Sequence, residues 1–125
     1  MNQIAKKILV VDDDVNHLQT TREILECEGY RVIIHESPFR TTQKILQEAP
    51  DLILLDVNMP ALSGERLCGL LREQKKTRDL PVLFYSSNDE DSLRQAVRNF
   101  GGTDYVCKGD LAGLRRKVKS LTSGA

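Results

Sequence analysis

Four hydrophobic runs in the 125-residue chain each end in a residue type that can take part in phosphate chemistry. The first run is followed by Asp12 and Asp13, the second by Asp56, the third by Ser86 and the fourth by Lys108. Carboxylates bind hard cations, while a hydroxyl and an ammonium group can contact phosphoryl oxygens. If the runs are parallel strands, these side chains meet at the sheet edge where open α/β sheets bind ligands.

The aspartates that follow the first two runs are candidate metal ligands. If Asp12, Asp13 and Asp56 converge, two charges about 4 Å apart repel by roughly 4 kcal/mol at an effective dielectric constant of about 20. Such a cluster persists when one acid is protonated or when a cation lies between the acids. Asp14, directly before Val15, fits a helix-capping role better. For the other three aspartates we favour Mg2+, which binds oxygen ligands and keeps open positions for phosphate.

Asp56 is the candidate nucleophile. It follows four aliphatic residues, and a carboxylate at this place can attack phosphorus to give an aspartyl phosphate. Ser86 would donate a hydrogen bond to a phosphoryl oxygen, and Lys108 would place a positive charge beside it. Each residue alone also fits an ordinary role, as a turn aspartate, a capping serine or a solvated lysine. Their shared position at strand ends favours phosphoryl chemistry.

Strand-like and helix-like patterns alternate about five times along the chain. The predicted strands are Lys7–Val11, Arg31–His35, Leu52–Leu55, Val82–Tyr85 and Asp104–Cys107. Continuous apolar strands separated by helices indicate a parallel sheet that is covered on both faces. The predicted fold is therefore α/β, a flavodoxin-like doubly wound (βα)5 domain with a five-stranded parallel sheet in the order 2-1-3-4-5. We expect residues 1–125 to form this single domain.

Capping residues and glycines predict where the first helices begin and end. The first helix is predicted over Val15–Glu28, with Gly29 as its stop. Ser37 and Pro38 are expected to open the second helix, and Ser63 is expected to cap the third.

The later helices are predicted from their apolar faces. In the third helix we expect Leu67, Leu70 and Leu71 to face inward. Ser87 followed by Glu90 has the spacing of a capping box at the start of the fourth helix. The fifth helix is predicted from apolar residues at helical spacing, namely Leu111, Leu114, Val118 and Leu121.

Composition argues against some classes of partner. Basic and acidic residues both number 18, so there is no basic excess that would indicate nucleic-acid binding. The apolar runs are far shorter than the roughly 20 residues of a membrane span. Cys27, Cys68 and Cys107 are widely spaced, and the patterns around Cys68 and Cys107 favour reduced, buried thiols. We therefore expect a cytoplasmic protein without membrane insertion and without direct nucleic-acid binding.

Taken together, these motifs resemble the receiver domain of response regulators in two-component signalling. The resemblance rests on Val10–Asp14, on Leu54–Pro60 with Gly64 four residues on, on Pro81–Ser86 and on Asp104–Lys108. It extends over essentially the whole chain. Each segment is modest evidence, but four segments in this order and spacing are highly specific.

The resemblance implies that Asp56 accepts a phosphoryl group from a histidine kinase or a histidine phosphotransfer protein. It also implies Mg2+ binding by Asp13, Asp56 and the backbone carbonyl of Asn58, with Asp12 acting largely through water. A protein of this kind is a signalling switch in a phosphorelay rather than a metabolic enzyme. It catalyses much of its own phosphorylation and slowly hydrolyses the product.

The resemblance further implies a route from the phosphate to an output protein of unknown identity. Ser86 and Lys108 would contact phosphoryl oxygens. Ser86 and Tyr105 match the family's switch pair, in which the hydroxyl moves to the phosphate and the aromatic ring turns inward. Tyr105 also fits an ordinary half-exposed strand aromatic. The implied output face comprises the fourth helix, the fifth strand and the fifth helix, and here it carries Arg94, Arg98, Arg115, Arg116, Lys117 and Lys119.

Gly109 departs from the family pattern, which usually has proline after the lysine, often in a cis peptide. A cis bond before a residue other than proline costs about 2.5–4 kcal/mol. We therefore predict a trans bond between Lys108 and Gly109. Glycine also permits unusual backbone angles, which leaves the reach of Lys108 open.

Two other functions stay open from the sequence. An aspartyl-nucleophile phosphatase shares Mg2+, lysine and a serine or threonine hydroxyl, but it usually has a second acid two residues after the nucleophile. This chain has Asn58 there, and an amide cannot serve as a general acid. A receiver-like interaction module that works without phosphorylation usually lacks an acid or the lysine. All of these are present here, and Gly109 is the feature that keeps this alternative open.

Overall fold

The strands and helices alternate along the chain, as the hydrophobic pattern predicts. The computed structural model describes residues 4–123, so residues 1–3 and 124–125 of the predicted domain lie outside the described residues. The strands are β1 (Lys7–Val11), β2 (Arg31–His35), β3 (Leu52–Leu55), β4 (Val82–Ser86) and β5 (Asp104–Cys107). The helices are α1 (Val15–Cys27), α2 (Thr41–Glu48), α3 (Gly64–Arg72), α4 (Glu90–Phe100) and α5 (Leu111–Thr122).

The five strands form one parallel sheet in the order β2-β1-β3-β4-β5. This arrangement confirms the predicted fold class. In the central pair, Val11 of β1 lies opposite Leu55 of β3. The next residue of β3 keeps this alignment, because the Asp56 N–H donates to the Val11 carbonyl at 3.0 Å. Asp12 and Asp56 are therefore neighbours at the carboxyl ends of β1 and β3.

Helices cover both faces of the sheet, so the central strands are buried on both sides. One core layer joins the sheet to α1 and α5 through Leu18, Leu25, Leu114 and Val118. The other layer joins the sheet to α2, α3 and α4 through Ile45, Leu67, Leu71, Leu93 and Ala96. Burial of each large aliphatic side chain contributes about 1.5–3 kcal/mol relative to its exposure. Within residues 4–123, none of the helices has both the length and the hydrophobicity needed to cross a membrane.

Two of the predicted caps are present. Asp14 Oδ1 accepts the His17 N–H at 3.2 Å at the start of α1. Ser63 Oγ accepts the Arg66 N–H at 3.3 Å at the start of α3. Both contacts satisfy an N–H group that the helix itself leaves unpaired.

The predicted start of α4 is wrong. Asp89, and not Ser87, caps the helix, because Asp89 Oδ1 accepts the Ser92 N–H at 2.8 Å. Both residue types are good caps, but a carboxylate also interacts favourably with the positive end of the helix dipole. The spacing of Ser87 and Glu90 did not distinguish between these two starts.

The predicted start of α2 is wrong as well. The helix begins at Thr41, and Ser37 and Pro38 belong to a turn that precedes it. The Phe39 N–H donates to Ser37 Oγ at 3.1 Å, and Thr41 Oγ1 donates to the Pro38 carbonyl at 2.7 Å. Arg40 has a φ of 62°, which interrupts any helix before Thr41.

The apolar faces of the later helices differ in part from the prediction. Leu67 and Leu71 of α3 are buried, but Leu70 is 47% exposed, and Cys68 takes the inward position instead. Leu70 lies three positions after Leu67 and Cys68 lies three positions before Leu71, so helical spacing allows either residue to share the inward face and does not decide between them. In α5 the first apolar residue, Leu111, is 39% exposed.

The three cysteines are free and differ in exposure. Cys68 is buried, Cys107 is half-buried and Cys27 is exposed. The expected burial is therefore correct for Cys68 and wrong for Cys107. Cys107 lies on β5, which within the described part of the chain is an edge strand that pairs with β4.

Arg72 joins three segments at the opposite end of the sheet from the aspartates. Its Nε donates to the Gly101 carbonyl at 2.7 Å, beyond the end of α4. Its Nη1 donates to the carbonyls of Leu80 at 2.7 Å and Arg78 at 3.1 Å, in the loop before β4. One guanidinium group thus donates hydrogen bonds to backbone carbonyls in loops, outside the hydrogen bonding of helices and strands.

Candidate functional site

The carboxyl ends of β1 and β3 bring three aspartates together. Asp12 and Asp13 follow β1, and Asp56 follows β3. One carboxylate oxygen from each of the three lies within 4.8 Å of the other two. Asp12 and Asp56 are 2% and 5% exposed, whereas Asp13 is exposed. The acids expected to converge do so, with one of them facing solvent.

Lys108 follows β5 and reaches across the sheet edge to the buried acids. Its Nζ lies 3.2 Å from Asp12 Oδ2 and 3.5 Å from Asp56 Oδ2. Its backbone N–H donates to the Ser86 carbonyl at 2.8 Å, which fixes the base of the side chain against β4. The one ammonium group is therefore shared between two carboxylates.

The loop that carries Lys108 has the predicted trans peptide bond, since no cis bond occurs among residues 4–123. Gly109 has a φ of 95°, in the left-handed region. Other residues are strained there, and the ring of proline cannot adopt this angle. The glycine therefore gives the loop a path that proline would not permit, while Lys108 still reaches the acids.

Asp12 accepts donors on both of its oxygens. The Asp14 N–H donates to Oδ1 at 3.0 Å, and Oδ2 contacts His17 Nδ1 at 2.8 Å in addition to Lys108. Burial alone would raise the pKa of Asp12. The Asp14 N–H, the charge of Lys108 and the bond to His17 outweigh burial, so the pKa lies below its ordinary value. Asp12 therefore stays ionised in the cluster.

Asp56 has the opposite electrostatic balance. Burial, together with the negative charge of Asp12, raises the pKa of Asp56 from 3.8 to about 6. The charge of Lys108 and the Asn58 N–H, which donates to Asp56 Oδ1 at 3.2 Å, oppose this rise. A cation placed between the acids would favour the ionised form again.

Ser86 lies on the β4 side of Asp56 and is fully buried. Its Oγ accepts hydrogen bonds from Asn58 Nδ2 at 3.0 Å and from the Asn88 N–H at 3.3 Å. Asn58 Nδ2 also donates to Asn88 Oδ1 at 2.7 Å. Within the described part of the chain the Ser86 hydroxyl donates no hydrogen bond, so its hydrogen can be given to an anionic oxygen.

An open cleft of about 440 Å3 adjoins this hydrogen-bonded group. Its lining combines the β3–α3 loop, the first turn of α3 and one residue of the β4–α4 loop: Val57, Asn58, Met59, Pro60, Ser63, Glu65 and Asn88. The cleft gives a ligand from solvent a way to approach the strand ends.

Tyr105 is not part of the aspartate cluster. Its hydroxyl donates to Glu90 Oε1 at 2.9 Å and accepts from Arg94 Nη2 at 3.3 Å, both on α4. Lys117 Nζ of α5 lies 4.4 Å from the centre of the ring, within the range of a cation–π contact. The ring is therefore held between α4 and α5 on the face expected to bind an output protein.

Gly64 allows the start of α3 to lie against the strand end that carries Asp56. A Cβ at this position would lie 1.9 Å from the Asp56 carbonyl oxygen, closer than atoms can approach. The Gly64 N–H donates to the Val57 carbonyl at 3.0 Å, which closes the β3–α3 loop. Gly64 is thus required for the backbone path around Asp56.

Two residues that contact the site were not predicted from the sequence. His17 lies three residues after the Asp14 cap, so the first turn of α1 carries its side chain back to the strand ends. Asn88 stands two residues after Ser86, as Asn58 stands two residues after Asp56. Counting positions from the cap and from the strand ends places both residues near the site, but their residue types alone do not single them out.

Comparisons with known proteins agree on one family. The family model described as response regulator receiver domain matches residues 8–119. The alkaline phosphatase synthesis transcriptional regulatory protein PhoP of Bacillus subtilis is 38% identical over 103 residues, which cover 82% of this chain and 42% of PhoP. The chain spans less than half the length of the curated relatives it matches.

Solved structures show the same fold. The signal receiver domain of a signal transduction histidine kinase from Syntrophus aciditrophicus has a TM-score of 0.86 and 29% identity, covering 97% of this chain and 92% of that one. The response regulator protein TrrA from Thermotoga maritima, in complex with Mg2+-BeF, has a TM-score of 0.82 and 32% identity, covering 93% and 98%. The matched length, the sheet order and these likenesses show that the chain belongs to the response regulator receiver domain family.

Proposed function

We propose that this receiver domain takes a phosphoryl group onto Asp56 from a phosphohistidine of a histidine kinase or a histidine phosphotransfer protein. A carboxylate oxygen of Asp56 attacks phosphorus, so that an O–P bond forms and the P–N bond breaks. The histidine nitrogen leaves with the electron pair of the broken bond. The observation that carries the proposal is the place of Asp56, buried at the end of a central strand with the Lys108 ammonium 3.5 Å away.

The donor set at the strand ends fits Mg2+. It offers carboxylate oxygens from Asp12, Asp13 and Asp56, and hard oxygen ligands suit this ion. Asp13, Asp56 and the backbone carbonyl of Asn58 would hold it directly. Asp12 would act through water, because both of its oxygens already accept protein donors. When bound, Mg2+ supplies positive charge that neutralises the phosphoryl oxygens.

Two side chains of the chain would stabilise the transferred group. Lys108 carries a positive charge between the two buried acids, and this charge can balance a phosphoryl group on Asp56. Ser86 Oγ accepts from Asn58 and Asn88 in the unphosphorylated structure, and the hydroxyl can turn to donate its hydrogen to a phosphoryl oxygen. Phosphoryl transfer depends mainly on such positioning and charge stabilisation.

The phosphorylated state would signal through α4, β5 and α5. When Ser86 turns to the phosphoryl group, Tyr105 would turn inward, and the surface that an output protein binds would change. This rotation must break the bonds of Tyr105 to Glu90 and Arg94. The protein would then work as a signalling switch. Three further points stay predictions: the output partner, the cytoplasmic location and the extent of the domain over residues 1–125.

The experiment is intact-mass measurement after incubation with acetyl phosphate and Mg2+. We expect the wild type to gain the mass of one phosphoryl group, and to gain none when the metal is chelated. Asp56→Asn should gain none under either condition. Asp51→Asn, at an exposed residue directly before β3, is the matched control and should behave as the wild type. A wild type that gains no mass at saturating Mg2+ would favour the interaction module that works without phosphorylation.

A further inference from the structure

The Asp12 carboxylate is held by donors from three segments of the chain. The backbone N–H of Asp14 binds Oδ1 at 3.0 Å. His17 Nδ1 of α1 binds Oδ2 at 2.8 Å, and Lys108 Nζ from the loop after β5 binds the same oxygen at 3.2 Å. Because an ionised carboxylate only accepts, the Nδ1 atom of His17 must carry a hydrogen in this contact. Neither oxygen of Asp12 can then turn without losing a donor.

His17 is itself held in place by Tyr85. The centres of the two rings lie 5.2 Å apart, and the ring planes are inclined by 42°. Such tilted pairs are a favourable arrangement for aromatic rings. Tyr85 is 4% exposed and belongs to the core layer between β4, α1 and α5, so it provides a rigid support.

The sharing of Oδ2 affects where the Lys108 ammonium lies. Lys108 Nζ is 3.2 Å from Asp12 Oδ2 and 3.5 Å from Asp56 Oδ2, and the lysine side chain is flexible. His17 occupies part of the accepting capacity of Oδ2 and so reduces the attraction of Asp12 for the ammonium. Without His17, Lys108 would be the only side chain among residues 4–123 that donates to this oxygen, and it would move towards Asp12 and away from Asp56.

We propose that His17, supported by Tyr85, is a positioning residue that orients Asp12 and so keeps the Lys108 ammonium directed at Asp56. The inference rests on the proposed function, because Lys108 contributes to phosphoryl transfer only from that position. His17 acts through Asp12, whereas Lys108 contacts the acceptor directly.

The test compares variants of His17 that differ in where they place a donor. His17→Asn puts an amide nitrogen close to the position of Nδ1, His17→Gln puts it further out, and His17→Leu removes it. His35→Leu is the matched control, because His35 contacts the Phe39 carbonyl and not an acid of the site. For each folded variant, the rate constant for acetyl phosphate addition to Asp56 is measured at saturating Mg2+, together with the Mg2+ affinity and the melting temperature.

We expect His17→Leu and His17→Gln to react about tenfold more slowly than the wild type, because the ammonium is misplaced. Their Mg2+ dissociation constants should change by less than about threefold, since a step after metal binding is affected. His17→Asn should stay within about threefold of the wild-type rate, because it restores the donor. A loss of packing alone would lower the melting temperature without separating His17→Asn from His17→Gln.

The outcomes separate this inference from the proposed function. If the wild type forms the adduct and His17→Gln reacts at the wild-type rate, the positioning role is wrong and phosphorylation of Asp56 stands. Equal slowing of His17→Asn and His17→Gln would also overturn the role, because the donor would then be irrelevant. If the wild type forms no adduct, the proposed function is wrong and the positioning role is wrong with it. His17→Gln keeps a polar residue at this half-buried position, so the comparison does not depend on the folding of His17→Leu.

Discussion

Asp56 is the residue at which stability and the proposed chemistry are opposed. It is buried beside the charge of Asp12, and its pKa is raised to about 6, so its ionised form destabilises the folded state. The same burial presents the carboxylate to a phosphoryl donor next to Lys108. A functional acid at such a position is expected to cost stability.

The first prediction concerns the pH dependence of this cost. Between pH 3.8 and about 6 the folded state binds more protons at Asp56 than the unfolded state does, so stability falls as pH rises through this window. Asp56→Asn has no such proton, and without metal at neutral pH it should be more stable than the wild type by on the order of 1–2 kcal/mol, after allowance for solvent screening. Urea unfolding at several pH values, with Asp51→Asn as control, measures the difference. A gain that is equally large below pH 3.8 would contradict the electrostatic cause.

The second prediction concerns Thr21 in α1. Its hydroxyl oxygen is buried and has no hydrogen-bond partner among the residues that the structure describes. Thr21→Val keeps the shape of the side chain and removes the unpaired polar group, so we expect a gain of about 1 kcal/mol in the free energy of unfolding. Thr20→Val is the matched control, because Thr20 is exposed and donates to the Asn16 carbonyl at 3.1 Å. Urea unfolding measures both variants, and a loss of stability in Thr21→Val would show that the hydroxyl is satisfied in solution.

At the scale of elements, the strands could be predicted closely and the helix starts could not. Four of the five predicted strands have the observed bounds, and β4 extends one residue further, to Ser86. A buried parallel strand needs a continuous apolar run, which is visible in one sequence. The starts of α2 and α4 depend on which of several nearby polar side chains reaches an unpaired N–H, and that depends on how the loop packs.

The same distinction applies to the candidate site. Residues at strand ends could be predicted, because parallel topology brings all strand ends to one edge of the sheet. His17 and Asn88 could not be ranked from their residue types, because their contacts depend on the direction of a side chain in a helix and in a loop. Arg72, which lies outside the site, is a third case, because the carbonyls that it contacts belong to two separate loops, α3–β4 and α4–β5.

The third prediction tests Arg72 as the link between these loops. Lysine keeps the charge of Arg72 but cannot donate in the directions of the guanidinium, so carbonyls of Leu80 and Gly101 would lose their partner. Arg72→Lys should lower the free energy of unfolding by about 1–3 kcal/mol. Arg66→Lys on the exposed face of the same helix is the control and should change it by less than about 0.5 kcal/mol. Equal values for the two variants in urea unfolding would refute the role of Arg72.

At the scale of the whole molecule, the aspartate cluster should link metal binding to stability. A ligand that binds only the folded state stabilises it by about 2.7 kcal/mol at a hundred times its dissociation constant. We therefore expect the melting temperature to rise with Mg2+ concentration. The rise should weaken as pH falls below about 6, because Asp56 becomes protonated.

Asp13→Asn separates metal binding from the stability of the fold. Asp13 is exposed, so the substitution should change metal-free stability by less than about 0.5 kcal/mol. It should nevertheless remove most of the rise with Mg2+, because a carboxylate ligand is lost. A melting temperature that rises equally in wild type and Asp13→Asn would place the metal elsewhere.

The most direct test of the account is to identify the residue that carries the phosphoryl group. After reaction with acetyl phosphate and Mg2+, borohydride reduces an aspartyl phosphate to homoserine, and peptide mass spectrometry locates the product. We predict homoserine at position 56 and none at positions 12 and 13. Homoserine at either of those positions, or a borohydride-resistant phosphate on Ser86, would contradict the assignment of Asp56 as the acceptor.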